Sequence, residues 1–469
     1  MTRNRTRLTR RCAVSAAGMA LLAGCARAAR PAGAAPVTLL RFAPWAGWLA
    51  AGPQWQRFLQ TPLAAFESRQ RGVRVQVVGP VDGGRAIPLL LAGTAPDVFS
   101  EFDIVPYIAA TGLVADLRPN LARDNIPMST WSSGQMRQFE TAGGLWFLPN
   151  YLNVAVMAVN VADLDARGIP HPDPQWTIVE AERLFRAATW DSGGRHHYGL
   201  YPVYRGLPYK SSGPLPNADY ALEIFGGHVL DPSRTRCLLG QPSVIRAATW
   251  WQDLFASGVA TGIGARLATP WPATFVENRN NHLLRDARLW GSAHWTFLPI
   301  PKYPAGRLSW MGSEGYALSA QSRAPEAAWA LLRYLAVEPA FQRYGMRVLL
   351  KPPSILALWP EMTATMEAVV PGFRGRGLHW YAESAAHWGR AGRAFKYGPE
   401  TAMAIINAAF DQIGTHQADP AVLLPSVAKQ VDALQQEAQR HPPPDGAQLI
   451  AARRRWAQRL ARMFASADH

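Results

Sequence analysis

Several residue groups in this chain have types that could do chemistry, and each can be tested by the spacing that chemistry needs. Ser426-Val427-Ala428-Lys429 has Ser-x-x-Lys spacing, in which a lysine can take a serine proton, but no Lys-Thr-Gly partner stands elsewhere and the segment reads as a terminal amphipathic helix. His196 and His197 are adjacent, so on a regular element they point apart, which is poor metal geometry; a surface turn is expected there. Glu180 and Glu182 could work as a glycosidase pair only if folding brought them together. Gly-x-Ser-x-Gly, a P-loop and His-Glu-x-x-His are missing from the sequence, and Gly262-Ile263-Gly264 lacks the third glycine of a dinucleotide loop. Neither a metal nor a cofactor is expected. What the chain does carry in excess is the indole ring: Trp, at 18, outnumbers Phe at 17 and Tyr at 13.

The elements that must position these rings alternate between strand and helix. Val37 to Phe42 reads as a first strand and Pro44-Trp45-Ala46-Gly47-Trp48 as a loop, followed by a helix from Gln54 to Ser68 and a second strand, Val73 to Val78. Strand, helix, strand in this order predicts a parallel sheet of an α/β fold. Ile87 to Ala92 is a short helix closed by Gly93, and Pro96-Asp97-Val98-Phe99 begins a third strand. Gly143 to Pro149 is extended, and Val154 to Asn160 is another strand. Thr177-Ile178-Val179-Glu180 has capping-box spacing, with Ala181, Leu184, Phe185 and Ala188 as the buried stripe of the helix it starts. Pro325 suits the first turn of a helix to about Leu335, and from Pro399 the pattern is helical almost to Gln439. No internal repeat is apparent.

With 469 residues there is room for two or three domains with buried cores. Apolar residues at 48% and charged residues at 17% predict a globular body, neither disordered nor multiply membrane-spanning. The net charge of +15 is spread along the chain and forms no nucleic-acid stripe. At the N-terminus, arginines up to Arg11 precede a short apolar run, Ala13 to Ala23, which suits an export signal rather than a permanent span. That run ends in Leu22-Ala23-Gly24-Cys25, which resembles the bacterial lipobox and implies lipidation of Cys25; Thr9-Arg10-Arg11 leaves both the general and the twin-arginine export routes open. Cys12 leaves with the signal and Cys25 is acylated, so Cys237 stays as a lone thiol and no internal disulfide is expected.

The order of the pieces resembles a known family, the extracellular solute-binding proteins of bacterial ABC importers, in the large group that includes maltose- and other sugar-binding proteins. The lipobox and the first strand with its Trp-bearing loop begin the match. Ala92-Gly93-Thr94-Ala95-Pro96-Asp97-Val98-Phe99 with Gly112 to Leu117, then Gly144 to Pro149 leading to Ala158-Val159-Asn160, continue it. Trp310-Met311-Gly312-Ser313-Glu314-Gly315-Tyr316 with the helix from Pro325, and the C-terminal helices to about Gln439, complete it. The match spans about residues 36 to 441 and departs around Thr274 to Trp290, where the family's usual Gly-Lys-Ala-Ala-Met stretch is not recognisable.

The resemblance implies an α/β, two-lobed periplasmic-binding-protein fold (type II) with an interlobe hinge that closes on a ligand. Its expected parts are a signal (1–24), a tether (25–35), a first lobe (36–151 and 305–350), a second lobe (152–304 and 351–441) and an extra basic helical tail (442–469). A sugar fits such a cleft, since its hydroxyls want carboxylates and amides and its C–H faces want an aromatic plate. Candidate ligand contacts are Trp45 and Trp48 in the first loop, Glu101 and Asp103 after the third strand, and Asn150, Tyr151 and Asn153 at the crossover. Trp310, with Gly312, Ser313 and Glu314 as small or polar neighbours, is expected to supply a stacking plate on the first lobe. Trp295 and Tyr397 are further candidates, ahead of Trp271, Trp380 and Trp388. The function implied is capture of a small solute, a carbohydrate, by a monomer lipid-anchored outside the cell membrane, with ABC permease subunits as partners and neither nucleic acid nor enzymatic turnover involved. Alternatives are the same fold binding a polyamine, phosphoester or peptide, and a secreted glycan-processing enzyme.

Overall fold

The computed structural model describes residues 37–44, 53–81, 86–101, 112–141, 143–202, 218–261, 273–279, 294–390 and 399–441. Strand β1 (Thr38–Ala43) turns Leu40 and Phe42 into a core, and α1 (Pro53–Arg69) follows, its Phe58, Leu59, Leu63 and Phe66 buried at helical spacing. β2 (Val73–Val77) returns parallel to β1, because a helical crossover lets the second strand run the same way. α2 (Ala86–Ala92) ends at Gly93, whose φ of +63° favours glycine. β3 (Val98–Glu101) pairs with the other edge of β1, also parallel. Then come α3 (Arg118–Arg123), the one-turn α4 (Ser133–Met136), β4 (Glu140–Thr141), β5 (Gly144–Leu145) and β6 (Leu148–Pro149).

β7 (Asn153–Asn160) begins the second lobe and is buried on both faces for seven residues. Ala155, Met157 and Val159 enter one apolar cluster while Val154, Val156 and Ala158 enter another, as the two-residue period of a strand requires. α5 (Val161–Ala166), α6 (Ile178–Ala187), β8 (Trp190–Ser192), β9 (Arg195–Tyr201), α7 (Ala218–Glu223) and α8 (Pro242–Ala256) follow. β10 (Ala273–Arg279), β11 (Trp295–Leu298), the hairpin β12 (Lys302–Tyr303) and β13 (Gly306–Arg307), and β14 (Ser309–Gly312) complete this stretch. The expected capping box at Thr177 is formed in full, and Ala181, Leu184, Phe185 and Ala188 are buried.

β15 (Gly315–Leu318) re-enters the first sheet, antiparallel to β3 and β6, giving the order β2-β1-β3-β15-β6. α9 (Pro325–Ala336) and α10 (Pro339–Leu349) belong to this lobe through Trp329, Leu331, Leu332 and Phe341. The remainder returns to the second lobe: α11 (Trp359–Val369), α12 (His379–Glu383), a π-helical turn (Ser384–Trp388), β16 (Gly389–Arg390), α13 (Pro399–Gly414) and α14 (Pro420–Arg440). The second sheet runs β16-β14-β7-β10-β9-β8, with β11 also on β7.

Two expectations meet a different arrangement. The helix read as continuous from 399 to 439 is two helices. His416 takes a left-handed φ of +59°, and Pro420, which has no N–H to donate, starts a new helix capped by Asp419. The second passage between lobes falls at Ser313–Glu314 rather than near 305, because β14 pairs with β7 and β16 of the second sheet while β15 pairs with β3 of the first.

Candidate functional site at the lobe crossings

Three segments carry the chain between the two sheets, and they lie against one another. The first, Asn150 to Leu152, donates from Asn150 N to Glu314 O of the second crossing at 3.0 Å, and from Leu152 N to Pro352 O of the third at 2.9 Å. Buried glutamines hold these strands from the side. Gln138 grips the Ser313 backbone at both ends, accepting from its N–H at 2.9 Å and donating to its carbonyl at 2.7 Å. Gln135 donates to Ser313 Oγ at 3.0 Å, and that hydroxyl donates to Tyr151 O. Gln342 donates to Asn150 O at 2.8 Å and accepts from Ser354 N at 3.0 Å, while Ser354 Oγ donates to Pro149 O.

Each such bond contributes only about 1 kcal/mol net, but stripping one partner from a buried group costs about 1–3 kcal/mol, so the lattice holds as a unit. Tyr316, under the crossings, has its phenol pushed up by burial; the Asn150 amide opposes that shift and the Glu314 carboxylate adds to it. The Lys351 ammonium sits 3.7 Å from the centre of the Tyr151 ring.

The crossings therefore bring together Asn150, Tyr151, Asn153, Gly312, Ser313 and Glu314, and Gly315 pairs with Glu101 across β15 and β3. Gln135, Gln138, Gln342 and Ser354 were not singled out in the sequence. Gln135 and Gln342 lie on helices, Gln138 in the turn after α4 and Ser354 in a bend; their only sequence mark is polarity, and the sequence alone does not reveal which polar positions fold inward.

No protein-family model and no curated relative matches the chain, but solved structures do. An ABC substrate-binding protein from Listeria monocytogenes, in complex with cycloalternan, superposes with a TM-score of 0.68 at 15% identity, covering 85% of this chain and 98% of that one. The sugar-binding protein MalE from Xanthomonas citri gives 0.67 at 16%, covering 86% and 98%. A cyclic alpha-maltosyl-1,6-maltose binding protein from Arthrobacter globiformis gives 0.66 at 17%, covering 86% and 100%. The fold is that of ABC solute-binding proteins.

Within this solute-binding-protein fold the tryptophan candidates are placed differently from the expectation. Trp310 lies on β14 of the second lobe, 3% exposed, in the cluster with Ala155, Met157 and Val159. The bare Cα of Gly312 makes room for that indole: a Cβ there would come within 2.6 Å of Trp310 Cζ2. The small residue beside the ring thus admits the ring itself, so Trp310 is not a plate on the first lobe. Trp295 is buried on β11 opposite Asn160, about 23 Å along β7 from Asn153 at seven steps of roughly 3.3 Å. Trp380 and Trp388 stand half-buried and near-parallel, 28° apart at 6.3 Å between centres, with the Arg307 guanidinium 4.6 Å from the Trp388 ring. Trp45, Trp48, Asp103, Trp271, Tyr397, Cys25 and the tail 442–469 lie outside the described residues, and of Glu101 only the backbone is described.

The enzyme-like groups have structural occupations. Glu180 closes the α6 capping box, and Glu182 accepts from Trp250 Nε1 at 2.8 Å and from Arg186. Ser426 and Lys429 are exposed on α14. His196 and His197 sit on strand β9 rather than in a turn. His196 faces Asp191 and Gly258, and His197 stacks on Trp190 with centres 3.6 Å apart. Among the described residues no cluster of His, Cys, Asp or Glu could hold a metal, and no helix is long and apolar enough to cross a membrane.

Proposed function

We propose that this chain is an extracytoplasmic solute-binding lipoprotein that captures a carbohydrate between its lobes and presents it to an ABC importer. The observation that carries the reading is the two-lobed fold, shared over some 85% of the chain with proteins whose structures hold or are described as binding sugars. The three crossings packed in one polar lattice support it further, since hinge closure needs lobes joined by segments that bend without parting. We assign ligand contacts to Trp45, Trp48, Glu101, Asp103, Tyr397, Asn153 and Glu314, and the joining of the lobes to the buried Asn150, Tyr151 and Ser313. Cys25 carries the lipid, and the protein binds its ligand without turning it over.

Titration with maltose, longer maltodextrins, cyclic glucans and mannotriose, followed by thermal melts and product analysis, tests the reading. A cognate sugar at a hundred times its dissociation constant should stabilise by about 2.7 kcal/mol and be recovered intact. Cleavage of the sugar would remove the receptor reading, and stabilisation by polyamines or peptides alone would replace the carbohydrate.

A further inference from the structure

The first sheet leaves a small basic face open at the point where the tether joins it. Leu40 and Phe42 enter the core, so Leu39 and Arg41 take the opposite side of β1, and the parallel register sets Leu39 beside Arg74 and Arg41 beside Gln76 of β2. All four are exposed, Leu39 at 58%. Arg71 is exposed in the turn before β2, where Thr38 N donates to Gly72 O at 2.7 Å. Arg41 donates to the Thr94 carbonyl at 2.9 Å, and neither Arg41 nor Arg71 forms an ion pair among the described residues. The acids beside them are engaged: Glu67 lies 3.4 Å from Arg74 and accepts from Val75 N at 2.7 Å, and Asp97 accepts from Arg41 N and Ser322 Oγ. Since β2 is the edge of the sheet, the Glu67 contact also occupies an N–H that a strand of another chain would need. Only eleven residues, 26–36, separate Cys25 from Val37, a span of at most about 40 Å when fully extended, and they carry Arg27 and Arg30 with no acid.

We infer that this face, Leu39 with Arg41, Arg71 and Arg74, is a contact surface for the anionic headgroups of the membrane that holds the lipid anchor. The inference rests on the reading of Cys25 as acylated. Charge complementarity selects the partner, and the short tether keeps the face close to it. Screening limits the attraction of exposed charges to about 8 Å at physiological salt, so the arginines act by touching the headgroups while Leu39 rests at the headgroup boundary. The contact also sets an orientation. β3, parallel to β1, ends at Glu101 opposite Gly315, next to the crossing at Ser313–Glu314, so the start of β1 lies at the end of the sheet turned away from the crossings. A first lobe resting on this face holds its crossing end away from the bilayer, toward the medium from which solute arrives. A few arginine contacts are weak enough to break when the chain moves to its importer.

The test is energy transfer from a dye on the acylated chain, as processed in its own cells, to acceptor-labelled headgroups in vesicles of phosphatidylcholine alone or with one third phosphatidylglycerol. The dye sits on Ser68→Cys, exposed in the last turn of α1 three residues before Arg71, or on Val179→Cys of the second lobe as reference, with the buried Cys237 retained. Phosphatidylglycerol should raise transfer from position 68 and not from position 179, and salt at about 1 M should return it to the neutral-lipid value. Each arginine at an anionic surface favours contact by about fivefold, so Arg41→Gln, Arg71→Gln and Arg74→Gln together should lower the contacting population roughly a hundredfold. Arg183→Gln, Arg195→Gln and Arg374→Gln, exposed on the second lobe, remove the same charge and should leave transfer unchanged. Equal transfer from the parent in both vesicles, or equal loss in both triple variants, overturns the contact; the lipid and salt comparisons use the parent and decide it even where a variant fails to fold. Self-quenching of the Ser68→Cys dye that rises with surface density, without a response to phosphatidylglycerol, gives the face to a second copy and overturns the membrane. A chain recovered with a free thiol at Cys25 overturns the anchor and the contact together, whereas an acylated chain with lipid-independent transfer overturns the contact alone.

Discussion

His196 stands between two groups that can only accept: Nδ1 lies 2.9 Å from an Asp191 carboxylate oxygen and Nε2 lies 2.8 Å from the Gly258 carbonyl. Both ring nitrogens must then donate, which favours imidazolium, and the Gly258 carbonyl and Asp191 raise the pKa against the opposing effect of burial. A raised folded-state pKa gives stability fully present below the unfolded value of about 6.5 and lost as pH rises through the folded value. Thermal melts of parent and His196→Gln should therefore differ most at acidic pH and converge as the solution becomes alkaline. A gap that widens with pH would contradict the assignment. Trp310 gives a second residue-scale prediction. Because it is buried in the second-lobe core, Trp310→Ala should cost about 3–5 kcal/mol of stability, read by denaturant unfolding. Weaker sugar binding with an unchanged melting temperature would return the ring to the cleft.

Among the elements, α6 carries the most complete local instructions. Thr177 Oγ1 accepts from Glu180 N while Glu180 accepts from Thr177 N at 2.8 Å, and the buried stripe repeats at helical spacing behind them. Thr177→Ala should cost about 1 kcal/mol in chemical denaturation. Thr177 N–H and the Thr177 hydroxyl hold the Glu180 carboxyl below its usual range, so its contribution is present at neutral pH and fades on acidification through that lowered value. The Thr177→Ala penalty should shrink accordingly in acid. β14 is the opposite kind of element. Four residues, Ser309–Gly312, carry no local signal for which sheet they join, and pairing with Val154 and Asn153 on one side and with Gly389 on the other decides it. That pairing moved Trp310 from the expected first lobe to the second.

Taken as a whole molecule, the chain depends on three thin crossings tied by buried amides. Replacing Gln342 by Leu would strip the donor from Asn150 O and the acceptor from Ser354 N. Each orphaned buried group costs about 1–3 kcal/mol, so Gln342→Leu should lower the melting temperature by several degrees. Differential scanning calorimetry checks this. A variant as stable as the parent would mean that the crossings are held by apolar packing and not by the lattice.

Strands β1, β2, β3 and β7 and helices α1, α2, α6 and α9 were legible in the sequence because their causes are local. A period of two or 3.6, a capping box at Thr177, a glycine after Ala92 and a proline at the head of α9 act within a few residues of themselves. The order of these pieces was enough to suggest a two-lobed fold, and Asn150, Tyr151 and Asn153 were legible as crossing residues by their place in that order, whereas Ser313 and Glu314 were read as neighbours of a ligand and became crossing residues only through the pairing of β14 and β15. What tertiary structure alone decided was side-chain destination. Gln135, Gln138 and Gln342 turn inward because backbone groups from distant segments wait there, Trp310 is covered because β16 and β7 flank its strand, and Gly134 is needed because Gly389, some 250 positions further on, passes beside it. Burial and close approach depend on residues far apart along the chain, and the local pattern does not encode them.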